Sequence, residues 1–402
     1  MVMLSRTRRE QIALSWVATG IFLFTSAFLW SPSRDGLDVM FVLGVLLPLL
    51  LVLPWQKPRF NPCGGFFTLT ALIYAGFAVV ATAWGASPQD WAGFAVQWLV
   101  LAFWLAGAAW LFSHRPPDMQ RFFNGLVVIG LLVAISAMVN FYASHSLIER
   151  LVGWSVVRNP TIVGQVFGSL AILAYALSLQ ELRMRRSLLY FAATLVLALP
   201  LLLSQTRGAA LALAIMVVVS WLVIRPAWRI LAVQAMIALL LLLPVLLVLD
   251  LDRILEARSF SWSQRDRIWH DVWHLAWQTP WLGSGSVLDD HLTLAIGDYH
   301  HPHNAWLDIF YRNGLIGLAL ALAHLLLLWR YFGRDRTLVP LYLWFGFGCI
   351  CLLTDSRVLF WELNAKWFLY WIPAGLIAAV LTAHRVRRGK PEPVATDNPH
   401  TL

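Results

Sequence analysis

Two stretches of the chain decide the fold: residues 195–203, LVLALPLLL, and residues 237–249, IALLLLLPVLLVL. Neither stretch alternates apolar with polar residues, as the strands of a transmembrane β-barrel must. Long apolar runs without charge are typical of helices that cross a bilayer. Over the whole chain of 402 residues, 59% are hydrophobic and only 13% are charged, which is too apolar for a soluble domain. The sequence therefore predicts an all-α polytopic membrane protein.

A helix of about 20 residues crosses the hydrocarbon core of a bilayer, and this length divides the chain into twelve predicted spans. Their predicted ranges are 11–30, 38–54, 66–84, 91–113, 122–142, 162–180, 187–204, 209–224, 229–249, 305–328, 338–353 and 367–383. Nine spans therefore occupy residues 1–249 and three occupy residues 305–390, on either side of a large loop at 250–304. The tail at 391–402 is predicted to be disordered.

The basic residues predict the orientation. The formal net charge is +9, and 19 of the 30 Lys and Arg residues lie in every second loop. Positive loops stay on the cytoplasmic side, which places both termini in the cytoplasm and the 250–304 loop on the outer side of the membrane. The N-terminal apolar run is too long for a signal peptide and no small-residue cleavage site follows it, so we interpret it as a retained span. Because the basic residues are dispersed in short loops, a nucleic-acid surface is not expected.

Arginines on the outer side of the membrane are the informative charges, because the inside bias does not explain them. They are Arg150, Arg158, Arg207, Arg253, Arg258, Arg265, Arg267 and Arg357. Arg207 lies in a short polar break between two apolar helices. It is interpreted either as an arginine that snorkels from a helix end or as a contact to an anion at the outer interface.

A tryptophan-rich segment of the large loop predicts an amphipathic helix that lies on the membrane. Trp262, Trp269, Trp273 and Trp277 follow one another at helical spacing, and Thr279-Pro280 ends the segment. Arg265 near its N-terminal end adds a guanidinium to a helix N-terminus, which is a favourable place for a phosphate. No strand precedes the glycine-rich turn at 283–286, so it is not interpreted as a nucleotide loop.

Three histidines, His300, His301 and His303, precede the tenth span. They lack the spacing of a metal site, since no histidine follows one helical turn later, no cysteine is near and no HExxH motif is present. A metal is therefore not expected there. The alternatives are a polar loop facing water and a neutral histidine that acts as a general base, which nearby arginines would keep unprotonated. Asn304 and Asp308, one helical turn apart, are predicted to support the entrance of the helix.

Five short segments share an order along the chain. Residues 204–209 read SQTRGA, 265–269 read RDRIW, 279–285 read TPWLGSG, 303–307 read HNAWL and 313–317 read NGLIG. They resemble the Ser-x-[Ser/Thr]-Arg-Gly, Arg-x-x-x-Trp … Pro-x-x-Gly-x-Gly and His-Asn-x-x-Leu … Gly-Leu-Ile-Gly motifs of the O-antigen ligase and polymerase superfamily. The resemblance covers roughly the stretch 204–317, and the first 200 residues match in hydropathy alone.

The resemblance implies a fold similar to the GT-C-type lipid-linked glycosyltransferases, with a helical periplasmic cap. It implies that an undecaprenyl-diphosphate-linked O-polysaccharide is transferred to lipid A–core with inversion and without a metal or other cofactor. On that basis His303, or His301 in its place, is the general base. Arg207 and Arg265 hold the donor diphosphate. Arg158 and Arg267 assist them.

The acceptor separates the members of the superfamily. A ligase uses lipid A–core, a polymerase uses another lipid-linked repeat and an oligosaccharyltransferase uses a protein serine. The single large outer loop and the short tail favour a ligase, with a polymerase as the alternative. A lipid or polysaccharide transporter is the alternative from another class, but charges at the span ends and the lack of an evident internal repeat disfavour it. A structural scaffold would leave the outer arginines unexplained.

Overall fold

The computed structural model describes residues 6–52, 62–85, 90–114, 118–146, 149–248, 265–286, 292–294, 297–299, 301–355, 359 and 362–388. Arg253, Arg258, Arg357, Trp262, His300 and the predicted tail at 391–402 lie outside these residues. Within them the chain is overwhelmingly helical, which confirms the predicted all-α polytopic membrane fold.

Nine helices in the described part of the chain are long and apolar enough to cross a membrane. They are α1 (Arg6–Trp30), α2 (Arg34–Val52), α3 (Pro62–Val80), α4 (Asp90–His114), α5 (Met119–Tyr142), α6 (Pro160–Gln180), α7 (Met184–Leu203), α8 (Arg207–Ile224) and α11 (Ala305–Trp329). Three further apolar helices are α9 (Trp228–Val248), α12 (Val339–Cys351) and α13 (Ile372–Arg388), the last preceded by a π-helical turn at Trp367–Trp371. These elements match the twelve predicted ranges in order.

One helix, α6, forms the centre of the bundle. Almost every residue from Val163 to Leu179 is buried, and α7, α8 and α12 pack around it. Asn159 caps its start by accepting a hydrogen bond from the backbone N–H of Thr161 at 2.8 Å, and Pro160 occupies the first turn, where a missing N–H costs nothing. Peripheral helices instead expose large apolar side chains such as Leu132 and Leu222. Such side chains are stable against lipid and not against water.

The loop between α9 and α11 carries a small cap. Its described elements are the helix α10 (Arg265–Ala276) and an antiparallel hairpin of β1 (Leu292–Leu294) and β2 (Gly297–Tyr299), in which Leu292 pairs with Tyr299. Ile268 and Val272 of α10 pack with Leu292 and Leu294 in a separate apolar cluster. The cap is therefore folded, and it contains a hairpin that the predicted series of amphipathic helices does not include.

A break in α11 anchors the loop that follows α10. At Gly314 the backbone takes φ 63° and ψ −168°, values open to glycine because it lacks a Cβ. The segment 280–286 lies in the break. There Leu315 donates its N–H to Pro280 O at 2.7 Å, and Gly285 donates its N–H to Arg312 O at 2.9 Å. The glycine-rich turn therefore fills the break in a kinked helix.

Candidate active site

The centre of the site is a hydrogen bond between His303 and Asp355. Nδ1 of His303 lies 2.8 Å from Oδ1 of Asp355, and both side chains are partly buried. His303 adopts a left-handed backbone with φ 56°. Its backbone N–H donates to Nδ1 of His301 at 3.1 Å, and the two imidazole rings lie 4.1 Å apart. The two candidate histidines therefore lie side by side, and His303 is the one that is hydrogen-bonded to Asp355.

Three contacts fix the loop that carries His303. The indole N–H of Trp269, on α10, donates to Pro302 O at 2.9 Å. Asn304 caps α11, because its Oδ1 accepts hydrogen bonds from the N–H groups of Trp306 and Leu307. The N–H of Ala305 donates to Leu352 O at 2.9 Å, which ties the loop to the end of α12 just before Asp355. We call this end of the bundle, where residues 301–304 and the turn at 204–206 lie, the site end.

Asp355 is held in its ionised form. Burial works to raise the pKa of this carboxyl group, but the hydrogen bond from His303 and the favourable electrostatic interactions with His303, Arg265 and His301 outweigh burial and hold the pKa below its ordinary value. Because an ionised carboxylate only accepts hydrogen bonds, the shared proton is assigned to Nδ1 of His303. In the neutral imidazole, Nε2 then carries the lone pair and is free to accept a proton.

Arg207 begins α8 after a tightly bonded turn. Ser204 Oγ lies 3.0 Å from Thr206 Oγ1, and Thr206 Oγ1 donates to Pro160 O at 3.1 Å. The next residue, Gly208, packs directly against Thr354, the neighbour of Asp355 in the chain. The turn therefore brings the exposed side chain of Arg207 to the site end, beside the loop that carries Asp355.

The other outward arginines differ in position. Arg150 braces the same turn, since its Nε donates to Ser204 O at 3.0 Å. Arg158 lies exposed in the loop that leads into α6. Arg265 is the first residue of α10 and acts on the charge of Asp355, whereas Arg267 is exposed and two residues further along, about 200° around the helix. Arg265 is therefore placed at the site, and no contact described for Arg158 or Arg267 joins either of them to the histidine pair.

Three helix N-termini meet at the site end. The first residue of α6 accepts the bond from Thr206, α8 begins at Arg207, and α11 begins at Ala305 with its bond to Leu352. Each helix N-terminus carries roughly half a positive charge from its unpaired N–H groups. Together with Arg207 and Arg265 they make this end of the bundle a favourable environment for an anion.

Asp308 has a structural role one turn inside α11. Its Oδ1 accepts a hydrogen bond from Arg312 Nε at 3.0 Å, and both side chains are only 1% exposed. The pair lies beside the break at Gly314, where the carbonyl of Arg312 holds Gly285. Asn304 contributes its cap, so the two residues predicted to support the helix entrance stabilise that entrance in different ways.

An apolar groove leads away from the site between α10 and α11. It has a volume of about 510 Å³ and is lined by Asp266, Trp269, His270, Trp273, Asn304, Trp306, Leu307, Phe310 and Leu318. Asn304, the neighbour of His303 in the chain, lies at one end of the groove, and Trp306, Leu307, Phe310 and Leu318 line it along α11. The groove can therefore hold a hydrocarbon chain whose polar end lies at the site.

Asp355 is the functional residue that the sequence did not reveal. It is 52 positions from His303 in the chain, and its turn, Thr354-Asp355, looked informative only for the neighbouring arginine. The order of the motifs gave one usable signal, because α11 and α12 are antiparallel neighbours in a membrane bundle. A carboxylate at the outer end of α12 is for that reason able to reach a histidine at the outer end of α11.

Fold and site together define a class: a multi-span α-helical membrane protein with a histidine–carboxylate pair, two arginines and several helix N-termini at one end. A family model described as O-antigen ligase matches residues 192–322, from within α7 to within α11. The O-antigen ligase of Pseudomonas aeruginosa is 25% identical over 398 residues, which are 94% of this chain and 93% of that protein. Both matches are to O-antigen ligases, and they confirm the resemblance found in the sequence.

Proposed function

We propose that this protein is an O-antigen ligase. It transfers O-polysaccharide from undecaprenyl diphosphate to a sugar hydroxyl of lipid A–core on the periplasmic face of the inner membrane. The observation that carries the proposal is the His303–Asp355 hydrogen bond at the end of the bundle where Arg207 and Arg265 lie. A base beside a cationic anion site is what glycosyl transfer from a diphosphate requires.

The base acts through Nε2 of His303. As the acceptor oxygen attacks the anomeric carbon, Nε2 takes the proton from the acceptor hydroxyl. The imidazolium that forms is stabilised by the ionised Asp355 at Nδ1, which also keeps the ring in the correct tautomer and orientation. His301 lies against this ring and accepts the backbone N–H of His303, which makes it a supporting residue.

The leaving group is the lipid diphosphate. Arg207 and Arg265 hold it through charge-assisted hydrogen bonds, and the helix N-terminus of α8 adds to the field that stabilises its growing charge. Attack from the side opposite the diphosphate inverts the anomeric carbon. With the charge held in this way, the transfer needs neither a metal nor another cofactor. The groove along α11 suits the isoprenoid chain, because its apolar lining begins beside Asn304.

The assay that tests this proposal uses purified protein, lipid-linked O-polysaccharide and lipid A–core, without added divalent metal. We expect the wild-type protein to convert lipid A–core into a product ladder on a gel. His303→Ala should abolish the ladder, and His301→Ala should reduce it less.

Two other outcomes would contradict the proposal in different ways. If the lipid-linked donor becomes longer while lipid A–core is unchanged, the protein is a polymerase of the same superfamily. If neither lipid changes but lipid-linked polysaccharide crosses a proteoliposome bilayer, the protein is a transporter, and the outer arginines orient and anchor it.

A further inference from the structure

Two histidines on the exposed face of α10 lie opposite each other. Nε2 of His270 and Nε2 of His274 are 3.2 Å apart, and the rings are in edge contact with centroids 4.4 Å apart. The two residues are one helical turn apart, so the helix itself holds them side by side. Neither has a role in the proposed proton transfer or in holding the diphosphate, although His270 is one of the residues that line the groove between α10 and α11; its side chain is 70% exposed.

The distance between the two nitrogens is the distance that a shared metal ion imposes. Imidazole nitrogens bind Zn²⁺ at about 2.0–2.1 Å, so two ligands at a tetrahedral angle are about 3.3 Å apart, and two at a right angle about 2.9 Å. The observed separation of 3.2 Å falls between these values. A direct hydrogen bond would instead require exactly one of the two Nε2 atoms to carry a proton.

A neighbouring carboxylate sets the tautomer that a metal needs. Nδ1 of His270 lies 3.3 Å from Oδ1 of Asp271, a contact that places the ring proton on Nδ1 and leaves the lone pair on Nε2. Carboxylates in this position orient histidine ligands in metal sites and increase their basicity. Nε2 of His270 is therefore available to bind a metal, while Nδ1 contacts Asp271.

The charges around the pair do not oppose a cation. Arg265 and Arg267 at the start of α10 are balanced by Asp266 and Asp271 on the same helix. Among the described residues no third histidine, cysteine or carboxylate joins the pair, so water completes the coordination shell. Imidazole ligands on an open surface favour Cu²⁺ and Zn²⁺ over Mg²⁺ and Ca²⁺, which prefer oxygen.

We propose that His270 and His274 form a binding site for a divalent transition-metal ion of the Zn²⁺ or Cu²⁺ type. The ion bridges consecutive turns of α10 and stiffens the helix that carries Arg265 and that holds the His303 loop through Trp269. The ion touches neither the diphosphate arginines nor His303, and its only direct link to the proposed transfer is that His270 also lines the groove between α10 and α11. The proposed metal site therefore does not depend on whether the protein is a ligase.

The test is copper binding by the full-length protein, purified in detergent without a histidine tag. We expect electron paramagnetic resonance of Cu²⁺ to show nitrogen ligands in the wild-type protein and addition of Zn²⁺ to displace the copper. His274→Ala should lose this signal. Asp271→Asn should weaken binding by about tenfold, the usual effect of removing a group that orients a metal ligand. His145→Ala is the matched control, since His145 is exposed and stacks on Phe141 without a second imidazole beside it.

A second measurement guards against a misfolded variant. His274→Gln keeps a polar side chain at the same exposed position, and its thermal unfolding without metal should match that of the wild-type protein. Zn²⁺ should raise the unfolding temperature of the wild-type protein and of His145→Ala, but not that of His274→Gln. The proposal is wrong if His270→Ala/His274→Ala binds copper as tightly as the wild-type protein, because His301 and His303 would then be the ligands. Absence of micromolar binding by the wild-type protein would also overturn it.

Discussion

Replacing Asp355 with asparagine tests whether the carboxylate assists His303. The substitution keeps the shape of the side chain and removes its charge. A hydrogen bond to a charged group contributes about 1.5–3 kcal/mol, and every 1.36 kcal/mol corresponds to roughly tenfold in rate. The bond is short, at 2.8 Å, but the side chains of His303 and Asp355 are 32% and 23% exposed, so solvent screens part of the effect. We therefore expect Asp355→Asn to lower kcat by about 10- to 100-fold.

The assay is the initial rate of transfer to lipid A–core at saturating donor. The KM for the donor should change little, because Arg207 and Arg265 are untouched and only the transition state loses stabilisation. Asp298→Asn, in the exposed strand β2, is the matched control and should keep its activity. The reasoning fails if Asp355→Asn retains kcat within a factor of about two while unfolding at the wild-type temperature.

The dependence of stability on pH checks the ionisation of Asp355 independently. Its pKa is lowered from an ordinary value of 3.8, so its contribution to stability is complete above that value and is lost as the pH falls through the lower pKa of the folded protein. The difference in unfolding temperature between the wild-type protein and Asp355→Asn should persist from pH 8 down to about pH 5 and be lost only below about pH 4. A difference that disappeared between pH 5 and 7 would mean that the carboxylate takes up a proton there.

Three further substitutions test the arginine site and the break in α11 that the segment 280–286 fills. Arg265→Ala should reduce kcat/KM for the donor by about 100-fold or more, because it removes a preorganised contact to the leaving group; an unchanged value would remove Arg265 from the site. Gly285→Ala should lower stability by about 1–3 kcal/mol, because φ is +95° and an added Cβ would lie 2.5 Å from the backbone nitrogen of Gly85. Gly65→Ala is the control and should unfold like the wild-type protein, because a Cβ added there meets no atom within 4 Å. Asp308→Asn should cost about 3–5 kcal/mol because it removes the negative charge that pairs with the Arg312 guanidinium, which is only 1% exposed. Thermal unfolding in detergent measures the effects of Gly285→Ala and Asp308→Asn, and equal unfolding temperatures for Asp308→Asn and the wild-type protein would contradict this account.

The predicted spans match the helices because the hydropathy of a span is a property of consecutive residues. Lipid requires every spanning backbone group to be bonded within its own helix, so an apolar run and a helix coincide. The short polar break at 204–208 was predicted on this basis, and the structure ends α7 at Leu203 and begins α8 at Arg207. Arg207, Arg265 and His303 could be predicted for the same reason, since each lies in a local motif at the end of a helix.

Pairings between distant segments could not be predicted in this way. Asp355 is recognised only when α12 lies beside α11, and no local pattern marks its turn as different from an exposed loop. The pair of Asp308 and Arg312 looks in the sequence like a common surface pair one helical turn apart, but it is buried. Its burial depends on the segment 280–286, which lies in the break of α11 and reaches the end of α3, where Ser286 donates its N–H to Ala81 O at 3.1 Å.

The left-handed backbone of His303 connects the fold with the proposed chemistry. A residue other than glycine with φ near 56° lies in a sparsely populated region and costs free energy, so its surroundings must impose it. The loop is bonded on both sides, to Trp269 through Pro302 and to Leu352 through Ala305, and the cap of Asn304 follows at once. These contacts leave His303 one backbone conformation, in which Nδ1 meets Asp355. The strain therefore fixes the ring before substrate arrives, and the orientation of Nε2 does not have to be gained during the reaction.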